Sequence, residues 1–168
     1  MNGSSNIWSG RNLKASEGVY WRPAVLQDIG LLRNIESLCF PQEDRFHDHQ
    51  FKHLIRNPNK TILSDIITIQ GHDAGWACFL SRKGSSSIRL YSMAILPAFS
   101  GKGYASEYLS QRFKTFEGFK SVVLEVRVTN EKAIRLYEKL GFKIIRNLPE
   151  YYPDHIDGYK MAKPLGFN

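Results

Sequence analysis

The sequence predicts a mixed α/β fold, a sheet with antiparallel and parallel parts. Three observations predict it. Two β-rich runs lie close enough to form a hairpin, two strand-then-helix units follow as parallel strands require, and two short strands close the chain. "VYWRPA" (19–24) alternates and is the first strand. "VLQDIGLLRNIESLCF" (25–40) sets Leu26, Ile29, Leu32, Ile35 and Cys39 at helical spacing, and Pro41 stops it. "HDHQFKHLIRNP" (47–58) is a short second helix closed by Asn57-Pro58. "TILSDIITIQ" and "GWACFLSRK", joined by "GHDAG", make the hairpin, and "IRLYSMAIL" is a long strand running up to Pro97.

The next helix carries Ala105, Tyr108, Leu109, Arg112, Phe113 and Phe116 as a mostly apolar stripe and ends at Glu117-Gly118. "SVVLEVRV" (121–128), rich in β-branched residues, is an inner strand. Its alternation points Val122, Leu124, Val126 and Val128 one way and Val123, Glu125 and Arg127 the other. Thr129 and Asn130 are cap residues for a helix carrying Ala133, Ile134, Leu136, Tyr137 and Leu140, and Gly141 suits its C-terminal end. "FKIIRNL" and, after an Asp157-Gly158 turn, "YKMAKPL" are the last strands, which makes seven. Residues 1–17, rich in Gly, Ser and Asn, form a flexible leader, and 18–168 form a single domain without repeat or linker.

The chain has 168 residues, 42% hydrophobic and 23% charged, which is a globular composition. No apolar run is long enough to span a bilayer, so no membrane partner is expected. The polar start lacks an apolar signal core, and Cys39 and Cys78 form no CxxC pair. A reduced, cytoplasmic setting follows. The net charge is +7, of which residues 98–147 supply +5. Such a surface favours anionic partners. Read plainly, the excess is a solvated helix surface; read more sharply, it attracts a phosphorylated ligand, and because the basic residues are not interleaved with aromatics and match no nucleic-acid motif, nucleic acid is not expected.

"SGKGYA" (100–105) places Gly101 and Gly103 between a strand and a helix. Taken alone it is either a tight turn or a loop whose amides cradle an anion. A Walker loop is excluded because Gly103 follows Gly101-Lys102, and a dinucleotide fingerprint is excluded because Ser106 stands where its last glycine belongs.

With "LEVRVTNEKAIRLYEKLGF" (124–142) one helix downstream, this loop resembles that of the GNAT superfamily of acyl-CoA N-acyltransferases. The likeness is greatest to the protein N-terminal acetyltransferases, among them the ribosomal-protein-alanine (RimI-type) enzymes. It covers about residues 88–165 in detail, with a later "YY…D…M". It implies a GNAT-like, mostly antiparallel sheet of about seven strands with helices on both faces. It also implies acetyl-CoA as cosubstrate and a primary amine as acceptor, most of all a protein or peptide N-terminus. The enzyme would act by direct attack in a ternary complex, as a monomer or homodimer. Ser100, Gly101, Lys102, Gly103, Tyr104 and Ala105 would then hold the coenzyme pyrophosphate. Met93, Ala94 and Ile95 would hold the pantetheine arm and thioester carbonyl, with Asn130 contacting the arm. Ser100 departs from the family's longer Gln or Arg at that position, which shifts the work to the backbone amides.

The resemblance makes Glu125 the general base and Tyr137 the general acid toward the departing thiolate. An α-amine titrates near ~8 against ~10.4 for lysine, so an N-terminus needs little help to become nucleophilic. Read as structure alone, Glu125 is half of a Glu–Arg pair, Tyr137 a core aromatic and Asn130 an N-cap. Tyr151 and Tyr152, in a loop between the last strands, would grip the acceptor; structurally they are exposed aromatics in a hairpin. His47, His49 and His53 lack HExxH spacing and a third acidic ligand, so no metal is expected, and their segment would shape the acceptor wall. Two other readings share these residues: transfer to lysine side chains, polyamines or other small amines, and a non-catalytic acyl-CoA-binding module.

Overall fold

In a computed structural model, residues 18–57 and 59–166 are described; the expected leader at 1–17 lies outside them. Seven strands form one sheet: β1 (Val19–Pro23), β2 (Ile62–Ile69), β3 (His72–Leu80), β4 (Ser87–Ile95), β5 (Ser121–Arg127), β6 (Lys143–Leu148) and β7 (Gly158–Pro164). Four helices accompany them: α1 (Ile29–Cys39), α2 (Asp48–Arg56), α3 (Tyr104–Phe113) and α4 (Glu131–Lys139). The strand order is β1-β2-β3-β4-β5-β7-β6. β4 and β5 are parallel, paired over Ser87–Arg89 against Ser121–Val123, and α3 supplies the crossover that parallel strands need. The β1–β2, β5–β7 and β6–β7 pairs are antiparallel.

The expected elements are present with shifted ends. The β2–β3 turn is Gln70-Gly71 rather than "GHDAG", and His72 to Ala74 belong to β3. Both turn residues have positive φ, 51° and 80°, as the mirror-image two-residue turn requires. α2 stops at Asn57, which takes the left-handed cap conformation at φ 43°. Its side chain ties the helix end to β2: Nδ2 donates to the Ile62 carbonyl and Oδ1 accepts from the Thr61 and Ile62 amides. α3 ends at Phe113, so Phe116 sits in the turn beyond it.

The described residues form two compact units, one of 18–79 with 92–117 and one of 80–91 with 118–166. In the first, helices cover both faces of the strands. Trp76 of β3 packs edge-on against Phe46 and Phe51 beside α1 and α2, while Phe79, three residues on and facing the other way, meets Phe116 after α3. α3 is anchored by a buried network in which Asp65 of β2 accepts from the Tyr108 hydroxyl (2.7 Å) and from Nε of Arg112 (2.7 Å). Trp21 of β1 lies edge-on to Tyr108. In the second unit Val122, Leu124 and Val126 of β5 and Met161 of β7 make the buried face, as the alternation predicts.

Candidate functional site

The glycine loop lies wholly in the first unit. Gly101 (φ 77°) and Gly103 (φ 88°) take left-handed conformations that only glycine adopts cheaply. Gly103 is the N-cap of α3. None of the amides of residues 101–106 donates to a backbone acceptor among the described residues. No atom lies within 4 Å of where a Cβ would stand on Gly101 or Gly103, so the loop is open on that side. Six consecutive amides without a backbone acceptor, at and before a helix N-terminus, are donors that an anion such as a diphosphate can use. Lys102 curls back, its Nζ donating to the Ala98 carbonyl at 3.0 Å. Ser100 is half-buried at the loop's start.

Upstream, Met93, Ala94 and Ile95 end β4. A Cβ on Gly75 of β3 would stand 2.6 Å from the Ala94 carbonyl, so only glycine permits this approach. The Cys39 thiol donates to the Ile95 carbonyl at 3.4 Å. Along α1 runs a concavity of about 560 Å³, lined by Arg33, Glu36, Ser37, Arg45, Phe46 and His47 among others. Glu36 is buried beside it and fixes the α1–α2 connection, accepting from the Phe46 amide (3.1 Å) and Trp76 Nε1 (2.9 Å). Burial pushes its carboxyl upward against those hydrogen bonds. His47 and His49 stack at 5.8 Å. Among the described residues no three His, Cys, Asp or Glu side chains converge for a metal.

In the second unit Glu125 points away from the buried face of β5, and its side chain is 11% exposed. Its partner is Arg89 of β4, whose Nε meets Oε2 at 2.6 Å, and not Arg127. Arg127 instead holds Asp154 (2.6 Å) and lies 4.1 Å under the Tyr152 ring. Arg89 also donates to the Tyr151 hydroxyl at 3.3 Å, so it links the carboxylate to the β6–β7 loop. Tyr151 and Tyr152 stand perpendicular at 5.1 Å, and both pack within 3.4 Å of where a Gly158 Cβ would be.

Tyr137 is set by the end of α4. The Phe142 amide donates to the Tyr137 carbonyl and the Gly141 amide to that of Glu138, a paired C-cap with Gly141 at φ 91°. That cap brings the Phe142 ring to 5.6 Å from Tyr137. Burial, with Tyr152 nearby, pushes the phenol up to about 12, so it keeps its proton at neutral pH. Asn130, not Thr129, is the N-cap of α4; its Oδ1 accepts from the Ala133 amide at 3.1 Å, and its Nδ2 is left for another acceptor. Arg89 and Asp154 were not singled out from sequence, and Gly158 only as a turn residue, whereas it begins β7. A charge between Ile88 and Leu90 in an inner strand was a usable signal for Arg89, because such a residue needs a partner.

The Acetyltransferase (GNAT) family model matches residues 29–142. An N-alpha-acetyltransferase of Sulfolobus acidocaldarius is 39% identical over 157 residues, 86% of this chain and 91% of that one. An N-alpha-acetyltransferase of Saccharolobus solfataricus is 42% identical over 89 residues, a match that spans 51%, about half, of each chain. The ribosomal-protein-S18-alanine N-acetyltransferase of Escherichia coli shares the fold, with a TM-score of 0.73 at 23% identity over 89% of this chain and 96% of that one. The family match covers most of the chain and includes the glycine loop, β5 and α4; the chain belongs to the acetyltransferase (GNAT) family.

Proposed function

We propose that the chain is an acetyl-CoA-dependent N-acetyltransferase whose acceptor is the N-terminus of a protein or peptide. The observation that carries the coenzyme part is the run of six open amides at residues 101–106. The acceptor part is supported by likeness to an N-alpha-acetyltransferase over most of the chain. The loop Ser100–Ala105 takes the pyrophosphate through backbone donors, which a serine at its first position leaves unhindered. Met93, Ala94 and Ile95 hold the pantetheine arm and thioester carbonyl by their backbone, and Asn130 adds its side-chain amide. The acceptor amine attacks the thioester carbonyl, and backbone donors near Ile95 stabilise the oxyanion.

Glu125 takes the proton the amine loses, directly or through one water, on the carboxylate oxygen that Arg89 leaves open. As the C–N bond forms and the C–S bond breaks, Tyr137 gives its proton to the sulfur. Tyr151 and Tyr152 grip the first residues of the acceptor, and the α1–α2 connection shapes a wall of the acceptor site. The reading extends to a cytoplasmic enzyme acting as a monomer or homodimer. Its two cysteines are free, and no helix among the described residues is long and apolar enough to cross a membrane.

The test is release of coenzyme A thiol with a panel of peptides and free amines. Peptide turnover is expected, with Glu125→Gln and Tyr137→Phe each lowering kcat by about 100-fold or more. Full activity in both variants would sink the proton roles. Turnover of free amines with none of peptides would sink the acceptor.

A further inference from the structure

The face of the second unit that carries Glu125 is cationic. In antiparallel pairs, residues directly opposite put their side chains on one face. Glu125 of β5 lies opposite Lys160 of β7, and Lys160 lies opposite Arg146 of β6. One row away, Val123 lies opposite Ala162, and Ala162 opposite Lys143. Arg127, two residues after Glu125, shares the face. Strict alternation along β6 would send Lys143 and Arg146 to opposite faces. The register shift between Ile144 and Arg146 absorbs Ile145 as an extra residue and returns Arg146 to the face of Lys143.

With Arg89, five cationic side chains therefore gather around one carboxylate. Arg89 is paired with Glu125 itself and Arg127 with Asp154. Lys143, Arg146 and Lys160 make no ion pair among the described residues; the first two are exposed and the third half-buried. Strand spacing of about 4.8 Å puts Lys160 one strand and Arg146 two strands from Glu125. An extended acceptor advances about 3.4 Å per residue, so these charges fall beside its second to fourth residues.

We infer that this face selects acceptor N-termini that carry Asp or Glu at positions two to four, and disfavours polyamines and lysine-rich N-termini. The inference rests on the N-terminal acetyltransferase reading and adds the acceptor class to it. Positive charge near Glu125 favours the neutral, nucleophilic form of the amine. It also repels any further cation on the acceptor and attracts carboxylates. Lys160 is the specificity residue nearest the base, and Lys143 with Arg146 extends the field.

The experiment compares kcat/KM for peptides with one N-terminal residue and Asp, Ala or Lys at positions two to four, at low and high salt, with spermidine as a fourth acceptor. Acidic peptides are expected to exceed lysine peptides by about tenfold at low salt, with the gap closing as salt screens it. The surface pair Lys143→Glu with Arg146→Glu, and separately Lys160→Glu, should reduce or reverse the order, with folding checked by circular dichroism. Equal use of all peptides, or an order unmoved by both charge reversals, overturns the inference and leaves the N-terminal reading standing. Turnover of spermidine with no turnover of any peptide overturns that reading and the inference with it.

Discussion

Tyr137, the proposed general acid, shows how a backbone motif fixes one side chain. Its ring position follows from the C-cap of α4, in which Gly141 turns the chain and Phe142 folds back onto it. Gly141→Ala forces a side chain into φ 91°, at a cost of about 1 kcal/mol, and loosens the Tyr137 ring without touching its hydroxyl. The expected result is a lower kcat with a nearly unchanged KM for acetyl-CoA, read from steady-state kinetics on the folded variant. Glu125 and Tyr137 were named from the resemblance to the GNAT enzymes; alternation in β5 gives only the face that Glu125 shares, and helical spacing leaves Tyr137 a core aromatic. Arg89 as the partner of Glu125 was not legible in the sequence, because the two are 36 residues apart and meet only through side chains reaching across the sheet. The neighbouring Arg127 was the natural guess from alternation, and Asp154 claims it instead.

At the scale of elements, the strands and helices were legible almost throughout, and their joints were not. A Gly-rich stretch marks a turn, but which two residues turn depends on pairing, and pairing put the β2–β3 bend at Gln70-Gly71. The entry to α1 is another such joint. Asp28 accepts two bonds from the Arg22 guanidinium, at 2.8 and 2.9 Å, and one from the Val25 amide at 2.8 Å. Those partners, Arg22 first, hold its carboxyl below the ordinary carboxylate range. Its contribution is therefore present above the ordinary carboxylate pKa and lost as pH falls through the lowered folded value. Asp28→Asn should cost about 2 kcal/mol near neutrality. The gap to the parent should shrink with acidification, measured by urea unfolding across pH. A second joint is the approach of β3 to β4. Gly75→Ala should cost about 1–3 kcal/mol. It should also weaken coenzyme binding if Ala94 and Ile95 hold the pantetheine arm, which calorimetry with coenzyme A would read.

For the molecule as a whole, charge separates by unit. The described part of the first unit is balanced, with nine Lys and Arg against nine Asp and Glu; the second has twelve against six. The sequence showed the excess but drew its limits at 98–147, because the strand segment 80–91 joins the second unit only in three dimensions. The balanced unit hides its most costly pair in its core. Asp65 and Arg112 have side chains 1% and 3% exposed. Arg112→Met strands a buried carboxylate and should cost about 3–5 kcal/mol, seen as a lower urea midpoint. Adding Asp65→Asn should restore part of the loss.

The bulge in β6 has a historical consequence. Ile145 is the surplus residue there, 58% exposed and opposite no residue of β7. Removing it would let Arg146 follow Ile144 directly and still face Lys160, so every other pairing would survive. This position is thus a natural point for one-residue insertions and deletions among descendants of this chain. Aligned on sequence alone, such descendants would seem to have moved a charge by one step, while in the sheet it had stayed where it was.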